Sequence, residues 1–118
     1  MKAIYWAGSS KEDLKGFPLD AKKEVGFQLG RVQNGLNPND WKPMKTVGTG
    51  VREIRIEVEP EGQFRVIYVA RLADRIVVLH AFHKKTQKTR KSDIDLAKTR
   101  LSAALKEIED ERKNSDKR

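Results

Sequence analysis

Residues 79–91, LHAFHKKTQKTRK, carry two histidines and five lysines or arginines at the end of an apolar run. Two more cations stand inside strand-like sequence, Arg55 in VREIRIEVE and Arg65 in FRVIYVARL. A charge in mid-strand repels like charges across the sheet, so such arginines are most easily understood around an anion. Arg and Lys without a metal suit one reaction well. RNA brings its own nucleophile, the 2′-hydroxyl, beside the scissile phosphate. The protein need only align the strand, move protons and stabilise the extra negative charge of the phosphorane. Arginine supplies a fixed fork of donors, and a lysine crowded by other cations becomes acidic enough to exchange a proton. The candidates for this chemistry are therefore Arg55, Arg65 and the pair Lys84 and Lys85. His83, beside Lys84 near the strand end, is better placed for acid–base work than His80, which reads as a hydrogen-bonded core or rim residue. Phe82 reads as core, with stacking on a base as the functional alternative. A purely structural account also exists: Arg55 pairs with Glu53 or Glu57, and Arg65 with Glu61.

Other chemistries find no residues. The chain has no cysteine, no Gly-rich phosphate loop and no HExxH or EF-hand spacing, so neither a metal nor a cofactor is expected. Its serines fall at turns, caps or helix surface, which argues against a serine hydrolase. The 118 residues fit one domain, and the formal charge is +8. Residues 106–118 are neutral, so the whole excess lies in 1–105. That distribution suggests a polyanionic partner, nucleic acid or an acidic protein, although excess lysine also simply aids solubility. No stretch has the roughly 18 apolar residues of a membrane span, and the N-terminal apolar stretch is too short for a signal peptide. The expectation is a cytoplasmic chain starting at Met1.

The elements that would position these cations follow from periodicity. KAIYW, residues 2–6, reads as a first strand. Lys11–Gly16 reads as a helical turn, and Pro18 opens a longer helix with Val25, Leu29, Val32 and Leu36 on its buried stripe. Gly26 and Gly30, four apart, would admit a close neighbour. Asn34-Gly35 stops that helix, and residues 37–43 read as a loop whose Trp41 plugs the core edge. VREIRIEVE alternates strictly, with Ile54, Ile56 and Val58 on one face and Glu53, Arg55 and Glu57 on the other. FRVIYVARL and RIVVLHAFH complete an antiparallel meander, with a short pairing expected near Met44–Val47. Ser92–Asp95 reads as a capping box for a last helix buried through Ile94, Ala97, Leu101, Ala104, Leu105 and Ile108. The expected fold is α+β: a compact domain over 1–108, helices on one face of a small curved, mainly antiparallel sheet, and a C-terminal helix. Residues 109–118, without apolar stripe, are expected to fray.

In combination, VREIRIEV, GQFRVIYVARLADRIVVLHAFHKKTQKT and DIDLAKTRL resemble the RelE/HigB-type toxins of toxin–antitoxin systems, closest to a phage-derived branch with an LHaFxKKtxkT signature. The resemblance runs from about Met1 to Leu105. It implies a compact α+β toxin, an mRNA interferase cutting message on the ribosome without metal, and neutralisation by a cognate antitoxin, often a helix-turn-helix protein. Carried over by position, it makes Arg65 a phosphate or transition-state ligand, Arg55 a residue that holds or activates RNA, and Lys84 or Lys85 the proton-transfer group. The C-terminal tyrosine that some RelE toxins use has no counterpart, which raises His83 and Lys85 as substitutes. Lys45, Arg52, Lys88, Arg90 and Lys91 look like positioning charges for the RNA backbone. Two other readings stand beside this one: a ParE-type toxin acting on gyrase, and a non-catalytic basic nucleic-acid-binding phage protein.

Overall fold

The computed structural model describes residues 1–116. Its elements are β1 (Ile4–Trp6), α1 (Ser10–Lys15), α2 (Leu19–Gln33), β2 (Trp41–Pro43), β3 (Val51–Val58), β4 (Gly62–Leu72), β5 (Arg75–Lys84) and α3 (Lys91–Asp116). The five strands form one open sheet in the order β1-β5-β4-β3-β2. β1 runs parallel to β5, and the other pairings are antiparallel. This is the α+β architecture that the alternation of the sequence predicts.

The sheet is covered on both faces. Ala21, Val25, Leu29 and Val32 of α2, spaced three or four apart, pack on Ile54, Ile56, Phe64, Val66, Tyr68, Ile76 and Val78. On the opposite face Val51, Ile67, Val69, Val77 and Leu79 meet Met44 and Val47 of the β2–β3 loop and Ala97 of α3. α3 approaches so closely that a Cβ on Gly48 would lie 2.6 Å from Leu101 Cδ2.

Several local expectations change. Trp41–Pro43 is an edge strand paired with Arg52–Ile54, not part of a loop. Pairing therefore begins at Trp41 and reaches the expected stretch only at Met44, whose amide donates to Val51 O at 2.8 Å, while Met44 and Val47 also close the core. Leu36, past the end of α2, is 52 % exposed, and Leu105 is 47 % exposed, one position off the Leu101–Ala104–Ile108 side of α3 that stays at least half-buried. The Ser92 box does not cap α3. The helix starts one residue earlier, at Lys91, and the amides of Asp93 and Ile94 donate to Arg90 O. Gly26 and Gly30 face open space, with no element against them. The segment from 109, expected to fray, continues α3 to Asp116. It contains no Gly or Pro to break it, and Glu111 is tied to Arg75 at 3.1 Å. The last two residues of that segment lie outside the described residues.

One irregularity governs the site. Ile67 is opposite His80, but Tyr68 is opposite Val78, so Leu79 is an extra residue in β5. Such a β-bulge breaks the two-residue period and turns the rest of the strand over. Before it, Val77 and Leu79 face α3; after it, Ala81 joins the α2 side. His80, Phe82 and Lys84 therefore point to the α3 side, and His83 does not.

Candidate functional site: a cation cluster on the sheet

Three rungs cross the α3-side face of the sheet. The first is Lys42–Glu53–Ile67–His80, the second Arg55–Arg65–Phe82, and the third Glu57–Gln63–Lys84. Arg55 and Arg65 are direct cross-strand neighbours, roughly 5 Å apart at Cβ. Lys84 lies diagonally across from Arg65, roughly 7–8 Å away. The sheet thus brings together Arg55, Arg65, Phe82 and Lys84, four of the residues singled out from the sequence, and adds Lys42 from β2.

Arg65 is buried, with its side chain 7 % exposed. Its Nη1 donates to Phe64 O at 3.0 Å and its Nη2 to Gln63 Oε1 at 2.9 Å. Its Nε faces Glu53 Oε1 at 3.6 Å. Burial lowers the Arg65 pKa, Glu53 opposes that effect, and Arg55 adds to it. Arg55 is exposed. Lys84 is half-buried, and its pKa falls below the usual 10.5. Burial is the chief cause, reinforced by Arg65, Lys42 and Arg55 and opposed by Glu53. A lysine in that setting gives up its proton more readily than an isolated one, so more of it stands in the neutral, proton-accepting form near neutral pH.

The partner of Arg65 is thus Glu53, not Glu61. Glu53 has the solvent-facing phase of an alternating strand, yet it is wholly buried. Lys42 Nζ lies 3.7 Å from its Oε1, and Thr89 Oγ1 donates to its Oε2 at 2.8 Å. Thr89 belongs to the β5–α3 connector, which closes over the first rung. His80 lies on the same face, stacked on Phe82 with centroids 4.8 Å apart, its Nε2 2.7 Å from Asp93 Oδ1. That agrees with a hydrogen-bonded rim residue.

His83 is separated from the group. Opposite Phe64, it stacks on that ring at 4.5 Å on the α2 side. It also covers Gly62 (φ +115°), where a Cβ would lie 3.0 Å from His83 Nε2. The bulge at Leu79 is the cause. Lys85 follows the last strand residue and is exposed. Arg52 also lies away from the cluster, its guanidinium 3.9 Å over the Trp41 ring and bonded to Asn37 Oδ1. Lys45 and Lys88 line an open groove with Lys42, Thr46 and Gln87 beside the first rung. Arg90 is exposed at the start of α3, and Lys91 pairs with Asp95 at 3.1 Å.

Sequence reasoning missed Glu53, Lys42 and Thr89. Lys42 fell in apparent loop, although WKP next to a strand-like segment was a usable signal. Nothing local marks Glu53 or Thr89, because only the fold of the connector buries them. Among the described residues no group of three His, Asp or Glu side chains is placed to hold a metal. No helix among them is long and apolar enough to cross a membrane.

A small α+β domain with arginines and a lysine on adjacent rungs of one sheet face is the class these observations define. Residues 12–102 match the family model described as Phage derived protein Gp49-like (DUF891). The chain belongs to this Gp49-like family of phage-derived proteins, a RelE/HigB-like toxin family. No curated protein matches the chain.

Proposed function

We propose that this protein is a ribosome-dependent mRNA endoribonuclease, the toxin of a type II toxin–antitoxin pair. The observation that carries the reading is the convergence of Arg55, Arg65 and Lys84 on adjacent rungs of one face. Family membership supports the toxin class. In this reading a phosphate of the message lies over the second rung. Arg55 and the outer N–H groups of Arg65 neutralise the phosphorane oxygens. Lys84, already depressed in pKa, moves a proton at the 2′-hydroxyl or the leaving 5′-oxygen. Phe82 stacks on a base, while Lys42, Lys45 and Lys88 guide the backbone along the groove. Lys85, Arg90 and Lys91 are outer charges. His83 takes no part, since it stacks on the other side of the sheet. The partners are the ribosome with its message and, for neutralisation, a cognate antitoxin of helix-turn-helix type, in the cytoplasm.

The test is expression in cells followed by mapping of message ends. The expected outcome is cleavage within translated messages, leaving 2′,3′-cyclic phosphate ends, and none with Arg65→Ala or with a 2′-deoxy nucleotide at the cut site. Arrested supercoiling with intact message would instead identify a gyrase inhibitor. One observation favours a second reading. Arg65 is bonded to Phe64 O and Gln63 and faces Glu53, as a structural arginine would be, and the face would then bind nucleic acid without cutting it. Salt-sensitive binding to RNA and DNA alike, with uncut message on ribosomes, would select that reading.

A further inference from the structure

We propose that Glu53 is a positioning residue: its buried carboxylate fixes Arg65 on the cation face and ties the β5–α3 connector to the sheet through Thr89. The role assigned to Arg65 rests on the nuclease reading above; the geometry of Glu53 does not. Arg65 sits opposite Arg55 and near Lys84, and repulsion from both would drive its guanidinium aside. Glu53 is the carboxylate paired with it, and it is 0 % exposed.

A carboxylate is costly to bury unless its oxygens are satisfied. Here the two oxygens have separate tasks. Oε2 accepts from Thr89 Oγ1 at 2.8 Å. Oε1 lies between Arg65 Nε at 3.6 Å and Lys42 Nζ at 3.7 Å. Both distances are too long for direct hydrogen bonds but within ion-pair range. Oε1 and Arg65 Nε have no hydrogen-bond partner among the described residues. The contact is therefore one of charge, which an amide of the same shape cannot replace. Phe64 O and Gln63 Oε1 fix the far end of the guanidinium, so removing the charge frees the near end. The same carboxylate also acts on Lys84, keeping its ammonium form more stable than the surrounding cations alone would allow.

The experiment uses the full chain and three variants: Glu53→Gln, Thr89→Val and Arg65→Lys. In wild type, the Arg65 Nε–H should exchange with water far more slowly than that of exposed Arg55; equal rates would overturn the proposal without any variant. Glu53→Gln should accelerate that exchange and lower the midpoint of the Lys84 Nζ titration followed by nitrogen NMR. Thr89→Val should leave both in place and instead speed amide exchange across residues 85–90. On ribosomes, Glu53→Gln should slow single-turnover cleavage about 100-fold, the scale of a misplaced ligand, at an unchanged half-saturating ribosome concentration. Arg65→Lys should not restore the rate. If wild type leaves message intact, the nuclease reading fails, and the NMR readings still decide the role of Glu53. A Glu53→Gln protein with unchanged Arg65 exchange and an unmoved Lys84 midpoint would overturn the proposal.

Discussion

Lys84 and Lys85 are adjacent in sequence and differ sharply in setting. Lys84 is half-buried on the cation face; Lys85 lies in solvent just past the strand. Under the proposed function, Lys84→Met removes the proton-transfer group and should lower cleavage about 100-fold or more, the usual scale of general acid–base catalysis. Lys85→Met should leave the single-turnover rate nearly unchanged. Stability should move the other way. The folded Lys84 pKa lies below its unfolded value, so the folded state disfavours its charge. That penalty is fully present below the folded pKa and disappears as pH rises through the unfolded value of about 10.4. Lys84→Met should therefore resist urea better than wild type at pH 7, with the difference shrinking towards pH 10.5; equal midpoints at pH 7 would contradict it. The sequence left the choice between the two lysines open because the residue that sets which phase of β5 faces α3, Leu79, looks like any other apolar strand position. Arg55 and Arg65 were legible, since their phase against Ile54, Ile56 and Val66 is unbroken. Glu53 was not, because its burial depends on Thr89 folding back from 36 residues further on.

At the scale of elements, strands and helices were readable wherever a period persisted, as in VREIRIEVE and the Val25–Leu29–Val32 stripe. They failed where tertiary contacts decide. WKP becomes a strand only because β3 offers an edge, and α3 extends to Asp116 in a sequence with no apolar stripe there. The start of α3 is likewise fixed from outside. Ser92 gives it no cap, while Asp93 in its first turn is held by His80 from β5 at 2.7 Å, the acidic end suiting the helix dipole. This bond and the one from Thr89 to Glu53 pin both ends of the segment carrying Arg90 and Lys91. Asp93→Ala should cost roughly 1.5–3 kcal/mol, as for a hydrogen bond to a charged group, and urea unfolding would measure it. The loosening should be local, with faster amide exchange at 86–94 and unchanged exchange in β3 and β4.

At the scale of the whole molecule, the +8 charge gains meaning from where the cations stand. α1 and α2 cover one side of the sheet, α3 leaves the other side open beyond the first rung, and the C-terminal half of α3, with three basic and five acidic residues over 104–116, adds no positive charge. Under the proposed function, Lys42, Arg55 and Lys84 on the rungs, with Lys45 and Lys88 along the groove, are the contacts to a single-stranded message. Each neutralised phosphate releases counterions, so the affinity for a short single-stranded RNA should fall with log salt at a slope near −0.7 per contact, or about −3.5 for these five. Lys45→Ala should reduce the slope by roughly one contact, as should Lys88→Ala. Arg52→Ala should leave it alone, because that guanidinium is stacked on Trp41 at the far end of β3. Truncation after Ile108 removes four basic and four acidic residues and should leave the slope unchanged. A slope that falls with Arg52→Ala but survives Lys45→Ala and Lys88→Ala would place the nucleic acid on the α2 side, and the cation cluster would then not be its binding surface.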